Sequence, residues 1–407
     1  MKYIEGGVCA AEGFLAAGMH CGVKSRNPEK KDVALIFSDR PCSAAAVYTR
    51  NVVKAAPLHI TKEHLKNGTL RAIVANSGNA NACAPRGEEN ALACCEAYAG
   101  ALGVDVTEVA AASTGVIGQT LPADVIIGGA PALIGALSHS SAGSDAAASA
   151  IMTTDTVKKE LALETVIDGR PVRIGGIAKG SGMIHPNMGT MLCFITTDCA
   201  ISAPMLQKAI SDAAQVSFNR ISVDGDTSTN DMCILMANGA AGNLAIEEPD
   251  SDYELFYDAL VELTTALARR MASDGEGATH LITCTVKGAA AESDAETISK
   301  SVICSSLVKA AIFGTDANWG RILCAMGYSG VPFDQDTVSV SFRSGAGVIE
   351  VCKNGRGLDF DEDLAKKILT EHDVYIDITM TDGSAECTCW GCDMTYDYVR
   401  INGDYRT

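Results

Sequence analysis

The chain predicts a mixed α and β protein in which layers of sheet are covered by helices. Three observations carry that prediction. Short apolar runs of β-like composition alternate with stretches of helical periodicity. The 407 residues are enough for two or three core-forming units. Hydrophobic residues make up 47% and charged residues 20%, the balance of a soluble globular protein.

Taken in order, Val33-Ala34-Leu35-Ile36-Phe37 and Ala72-Ile73-Val74-Ala75 are apolar enough to be strands. Leu92, Cys95, Ala99 and Leu102 fall at helical spacing within 87–103, and Glu88 and Glu89 suit the positive end of that helix. Val172-Arg173-Ile174 and Met191-Leu192-Cys193-Phe194-Ile195 are further strands, the second of them buried. A helix starts near Ser202, an N-cap residue type, with Pro204 in its first turn. Phe256, Leu260, Leu263, Leu267 and Met271 share one face of another helix. Val338–Phe342 and Tyr375–Thr379 alternate as half-buried strands do. No internal repeat is present, and the Gly-, Glu-, Pro- and Asp-rich stretch 239–252 is expected to be the loop between units.

The formal net charge is −18, which argues against a nucleic-acid binder, because phosphate contacts need clustered Lys and Arg. No stretch approaches the roughly 18 apolar residues of a membrane span, and the first residues lack the apolar segment of a signal peptide. A cytoplasmic protein is expected. The sixteen cysteines then act chiefly as small buried hydrophobes, as Cys193, Cys233, Cys284 and Cys324 within apolar runs suggest.

The most informative segment is Lys179-Gly180-Ser181-Gly182-Met183-Ile184-His185-Pro186-Asn187-Met188-Gly189-Thr190, leading into the strand from Met191. On spacing alone it is a turn followed by a core strand. If the Gly189–Thr190 bond is cut, however, Thr190 becomes an N-terminus whose α-amine can take the proton of its own hydroxyl. That activates a weak nucleophile without histidine. A glycine before the threonine lets the backbone reach the strained conformation in which the Thr190 hydroxyl attacks the carbonyl of the Gly189–Thr190 bond.

This segment resembles the self-cleavage motif of the ornithine acetyltransferase family, the glutamate N-acetyltransferases of arginine biosynthesis. Other motifs fit in the family's order across essentially the whole chain: 76–83, 113–118, 152–156, 222–231, 274–279, 316–321 and 396–402. One departure is Gly189, where the family more often has alanine. The resemblance implies a sandwich of β-sheets flanked by helices. It also implies a chain cut into interleaved fragments, α (1–189) and β (190–407), that assemble as an α2β2 heterotetramer. Acetyl transfer from N2-acetylornithine to glutamate would run through an acetyl-Thr190 enzyme, with no cofactor and no metal. Some family members also use acetyl-CoA, which this sequence leaves open.

Residue roles follow from the same resemblance. Thr190 is the nucleophile. Thr114, through its hydroxyl, and Gly115, through its N–H, form the oxyanion hole. Thr153, Lys179, Glu276, Asn402 and Thr407 bind substrate together with Thr190. Lys179 suits a carboxylate and Glu276 an amino group. Thr154 stands beside Thr153, so that assignment is open by one residue.

Three other constellations carry weaker readings. Asp224, Asp226, Ser228 and Asn230 resemble the start of a calcium loop, but Thr229 stands where such a loop needs Gly and Leu235 where it needs Glu. For Cys387, Cys389 and Cys392 zinc would want a fourth ligand, and a face shared by Cys387 and Cys389 fits either ligation or packing; the resemblance, to a family that uses no metal, favours core packing. His185 is read as shaping the loop beside Pro186, not as a base. The alternative activity is that of an N-terminal-nucleophile hydrolase or aminopeptidase of related fold, in which water accepts the acyl group.

Overall fold

The computed structural model describes residues 1–185 and 191–403. Among them are sixteen strands: β1 (Lys2–Ile4), β2 (Phe14–Met19), β3 (Val33–Tyr48), β4 (Thr69–Asn79), β5 (Val109–Val116), β6 (Lys159–Ile167), β7 (Arg170–Lys179), β8 (Leu192–Thr197), β9 (Ile221–Ser222), β10 (Met232–Ala237), β11 (Leu281–Ala289), β12 (Ser339–Ser344), β13 (Gly347–Lys353), β14 (Arg356–Gly357), β15 (Asp373–Thr379) and β16 (Ala385–Cys392). The helices are α1 (Ala56–His64), α2 (Gly87–Leu102), α3 (Ala123–Gly135), α4 (Ser141–Ile151), α5 (Ala203–Val216), α6 (Ser251–Ser273), α7 (Glu292–Cys304), α8 (Ser306–Phe313), α9 (Trp319–Gly327), α10 (Glu362–Thr370) and α11 (Tyr396–Asn402). None of the described helices is long and apolar enough to cross a membrane.

A nine-stranded mixed sheet runs β1-β6-β7-β8-β10-β3-β4-β5, with β2 added against β3. The sixteen-residue β3 makes this sheet double. Its ladder with β4 breaks between Phe37 and Cys42; before the break β3 pairs with β2, and after it Ser43–Tyr48 pair with β10. The two halves share one core. Ile36, Ile73 and Ala110 from one half meet Ile177, Phe194 and Ile234 from the other.

Side chains alternate across a strand, so the intervening residues face outward. Leu35, Val74 and Val109 pack beneath α2 and α3, while Cys193, Ile195 and Leu235 pack beneath α5 and α6. The result is helix, sheet, sheet, helix, as the sandwich expectation has it. Phe256, Leu260, Leu263, Leu267 and Met271 of α6 are all fully buried in the outer core. Each such side chain contributes about 1.5–3 kcal/mol by leaving water.

The second, seven-stranded sheet runs β14-β13-β12-β15-β11-β16-β9 and carries α7 to α10. The passage into it lies after α6, at 274–280. The loop 239–252 links β10 to α6 within the first core, so the expected boundary is displaced by one long helix. Ser202 sits at the N-cap of α5 with Pro204 in its first turn, although its hydroxyl makes no capping bond.

The cysteine cluster divides between two cores. Cys387 and Cys389 share a face and pack among Ile298 and Val302. Cys392 faces the other way, where Lys309 Nζ lies 3.6 Å from its sulfur. The Asp224 carboxylate is engaged by the backbone N–H groups of Met183 and Ile184, at 2.6 and 2.9 Å, and by the Tyr398 hydroxyl at 3.2 Å. It is a fastening for the 183–185 loop.

Candidate active site

Strand ends from the first sheet meet the loop after α6 and the last helix around a pocket of about 110 Å³. Thr114, Gly115, Thr153, Lys179, Glu276 and Asn402 all line it. Six of the sequence-predicted residues, far apart in the chain, are thus brought together. Met191 and Leu192 line it as well. Thr190, Gly189 and Thr407 lie outside the described residues. Thr153 and Thr154 both face the pocket, so the one-residue ambiguity persists.

Local sequence explains the placement of Thr114 and Gly115. They end β5, which runs parallel to β4, and the register slips at Gly78–Asn79. A bulge of this kind re-aims side chains at a sheet edge. Three asparagines brace it. Asn76 Oδ1 accepts the Ser113 hydroxyl at 2.6 Å, and Asn76 Nδ2 donates to the Asn79 carbonyl at 2.9 Å. Asn79 Nδ2 donates to the carbonyls of Gln119 and Thr120. Asn230 Nδ2 ties the carbonyls of Ala80 and Ser113 together at 2.6 and 2.8 Å. Gly115 has φ +133°, and a Cβ there would lie 2.4 Å from the Gly78 carbonyl carbon, so both φ and space require glycine.

Lys179 closes β7, and its Nζ donates to Thr114 Oγ1 at 3.2 Å. Burial pulls its ammonium below the ordinary lysine value, and Asp155 opposes that pull. On the facing side, Asn402 Nδ2 donates to Glu276 Oε2 at 2.6 Å. Gly182 leaves room for that carboxyl group, which a Cβ would approach to 2.3 Å. Thr114, Thr153, Lys179 and Glu276 are each at most 9% exposed. Buried charges of opposite sign and oriented hydroxyls suit a small zwitterion far better than an apolar ligand.

His185 stands apart from the lining. Its Nδ1 is 3.1 Å from Ser222 Oγ, its carbonyl accepts the Thr227 hydroxyl at 2.9 Å, and Cys304 Sγ lies 3.6 Å away. Burial lowers its imidazole, Lys300 acts in the same direction and Asp224 opposes them. These contacts fix the loop, as expected.

Sequence reasoning gave no role to Ser228, Thr229, Asn230 and Asp231, which form one wall of the pocket. The signal was present in the 222–231 motif, but its Asp-rich spacing drew attention to calcium instead. Ile117 and Met183, inside the 113–118 and 179–190 motifs, add apolar contacts to which the sequence analysis gave no role.

Comparison with known proteins shows the family. The ArgJ family profile matches residues 15–407. The chain belongs to the ArgJ family. It is 49% identical over 97% of its length to the arginine biosynthesis bifunctional protein ArgJ 1 of Clostridium acetobutylicum, covering 96% of that protein. It is 50% identical to the arginine biosynthesis bifunctional protein ArgJ of Symbiobacterium thermophilum, with both chains covered in full. Among solved structures, an ornithine acetyltransferase of Mycobacterium tuberculosis complexed with ornithine is 43% identical. It covers 46% of this ArgJ-family chain and 98% of its own, with a TM-score of 0.43.

Proposed function

We propose that this protein is a self-processing glutamate N-acetyltransferase of arginine biosynthesis. Thr190 gives its hydroxyl proton to its own α-amine and attacks the acetyl carbonyl of N2-acetylornithine. Thr114 and Gly115 receive the oxyanion. The carbon–nitrogen bond breaks, the departing ornithine nitrogen takes the proton, and an acetyl ester on Thr190 is left. The amino group of glutamate then attacks that ester, giving N-acetylglutamate and restoring the hydroxyl. The order is ping-pong, because ornithine must leave the small pocket before glutamate enters.

The observation that carries this reading is the convergence of Thr114, Gly115, Thr153, Lys179, Glu276 and Asn402 on one pocket beside Met191, in a chain of the ArgJ family. Lys179 is suited to a substrate carboxylate and Glu276 to an ammonium. Cleavage at Gly189–Thr190 is compatible with an intact fold. Lys179 and Leu192 are ladder partners, and β7 and β8 pair over six residues on either side of the cut. Beyond that, β8 and β10 lie between β7 and β3, which interleaves the α (1–189) and β (190–407) fragments.

Acetyl-CoA is proposed as a second donor, in keeping with the word bifunctional in the relatives' names. An α2β2 assembly of two cleaved chains is proposed as the working form, and the cytoplasm as its place.

Intact-mass analysis tests the first step. The reading expects two fragments, the second beginning at Thr190 and gaining one acetyl group on exposure to N2-acetylornithine. Ornithine should be released at once, and N-acetylglutamate should form only when glutamate is added. Free acetate in place of N-acetylglutamate would turn the assignment to a hydrolase, and a single uncleaved band would remove the proposed nucleophile. Native mass measurement checks the α2β2 assembly.

A further inference from the structure

Beneath the pocket floor lies a lysine that no motif marks. Lys159, at the start of β6, is fully buried, and its Nζ donates to Asp155 Oδ1 at 2.6 Å and to Asp274 Oδ2 at 2.5 Å. Each carboxylate also holds backbone. Asp155 accepts the N–H of Gly180 at 2.7 Å and of Thr153 at 3.1 Å. Asp274 accepts the N–H of Thr156 at 3.0 Å and the Thr156 hydroxyl. Two bonds then join the remaining segments of chain: the Ser181 hydroxyl donates to the Asp274 carbonyl at 2.6 Å, and the Glu276 N–H donates to the Ser181 carbonyl at 3.0 Å.

The three segments tied in this way each deliver a pocket residue. Residues 153–156 carry Thr153, residues 179–181 carry Lys179, and residues 274–276 carry Glu276. Burying an ammonium is costly unless it is paired and hydrogen-bonded. Two carboxylates at ion-pair distance satisfy Lys159; their other oxygens are held by the Thr153 N–H on Asp155 and by the Thr156 hydroxyl on Asp274. A hydrophobic residue of similar length would fill the space but would join nothing. This arrangement specifies relative position among three segments far apart in sequence.

We propose that Lys159 is a positioning residue: by clamping Asp155 to Asp274 it fixes the separation of Lys179 and Glu276, and so matches the pocket to the carboxylate and ammonium of an amino-acid substrate. The proposal rests on the functional reading above for what those two groups hold. Lys159 touches no substrate. Its effect passes through the Gly180 N–H to Lys179 and through the Asp274 main chain to Glu276.

The test is calorimetric titration of the cleaved enzyme with ornithine, alongside KM and kcat for acetyl transfer and the melting temperature. Two variants are used. Lys159→Met removes the ammonium. Asp274→Ala breaks one arm and leaves Lys159 and Asp155 as a neutral pair, so it stays informative if the first variant does not fold. The clamp expects ornithine binding at least threefold weaker in every folded variant, with KM raised more than kcat is lowered. A merely structural lysine would lower the melting temperature and the active fraction while leaving the affinity of the folded molecules unchanged. Weakening of less than threefold in a folded variant overturns the proposal. A wild type that binds and transfers, with unaltered variants, fails the clamp alone. A wild type that neither binds ornithine nor transfers acetyl fails the functional reading and removes the clamp's stated purpose with it.

Discussion

The Lys179 ammonium donates to the Thr114 hydroxyl oxygen at 3.2 Å, inside a pocket where both side chains are nearly buried. An ammonium only donates, so the Thr114 oxygen is the acceptor and its own proton is free to point elsewhere. A positive charge on the acceptor side makes that proton a better donor, which is what a developing oxyanion needs. Thr114→Ala should therefore lower kcat by about 10²–10³, the usual loss for one oxyanion donor. The affinity for N2-acetylornithine should change little, because the charge exists only in the transition state. Thr114→Ser keeps the hydroxyl and should recover most of the rate. Steady-state kinetics of the three proteins check this, and a loss confined to KM would contradict it.

Gly182 and Gly115 make a second, paired prediction. At Gly182 the added Cβ would meet the end of the Glu276 side chain at 2.3 Å, and a flexible carboxylate can swing away. At Gly115 it would meet the Gly78 backbone at 2.4 Å, which cannot. Gly182→Ala should fold with little change in melting temperature, yet raise KM for glutamate severalfold, because Glu276 leaves Asn402. Gly115→Ala should lose stability, by roughly 1–3 kcal/mol from strain alone, together with activity. Equal melting temperatures for the two variants would refute the distinction.

His185 provides a negative control. Its ring nitrogen faces Ser222 and Cys304, and its carbonyl holds Thr227. A His185→Gln variant that still cleaves should keep the rising limb of acetylation rate against pH, because the assigned base is the Thr190 α-amine. Stopped-flow release of ornithine across pH 6–9 would show it, and disappearance of the limb would transfer the role of base to His185.

Much of this was legible in the sequence because the chemistry is carried by unusual residues in short runs. Glu88 and Glu89 and the α6 stripe from Phe256 to Met271 left local signals, whereas Thr114, Lys179 and Glu276 were marked through the family resemblance of the motifs that hold them. Two of the strands that the sequence did not mark have a physical reason. The second half of β3, Ser43-Ala44-Ala45-Ala46-Val47, and β5, beginning Val109-Ala110-Ala111-Ala112, are rich in alanine, the strongest helix former. Their extended state is imposed by facing layers whose close approach admits only small side chains, a tertiary demand with no local signature. Lys159 was invisible for a related reason. Its partners Asp155 and Asp274 are 4 and 115 residues away, and only the folded chain brings the second within reach.

The final prediction concerns Lys24, whose Cγ would meet a Cβ on Gly78 at 2.9 Å, so that it packs directly behind the oxyanion loop. Its Nζ donates to the carbonyls of Met152 at 2.7 Å and Lys31 at 3.0 Å. Burial pulls its ammonium down to about 8 from 10.5, against the upward pull of Asp32. Below pH 8 both folded and unfolded chains hold the proton, and the cost of burying the charge is fully present. As pH rises through 8 the folded chain releases the proton, while the unfolded chain keeps it until about 10.5. The unfolded state then binds more protons, so this residue's contribution to stability increases with pH across that window. The shift corresponds to about 3 kcal/mol in all. A neutral amine still offers two N–H donors, so both carbonyl bonds survive the titration. Lys24→Met removes the bonds and the proton together. Its stability should therefore fall progressively further behind the wild type between pH 7.5 and 10.5, as read from urea unfolding of the two proteins at matched pH. A difference that stays flat over that range would mean that Lys24 keeps an ordinary lysine's proton affinity in the fold.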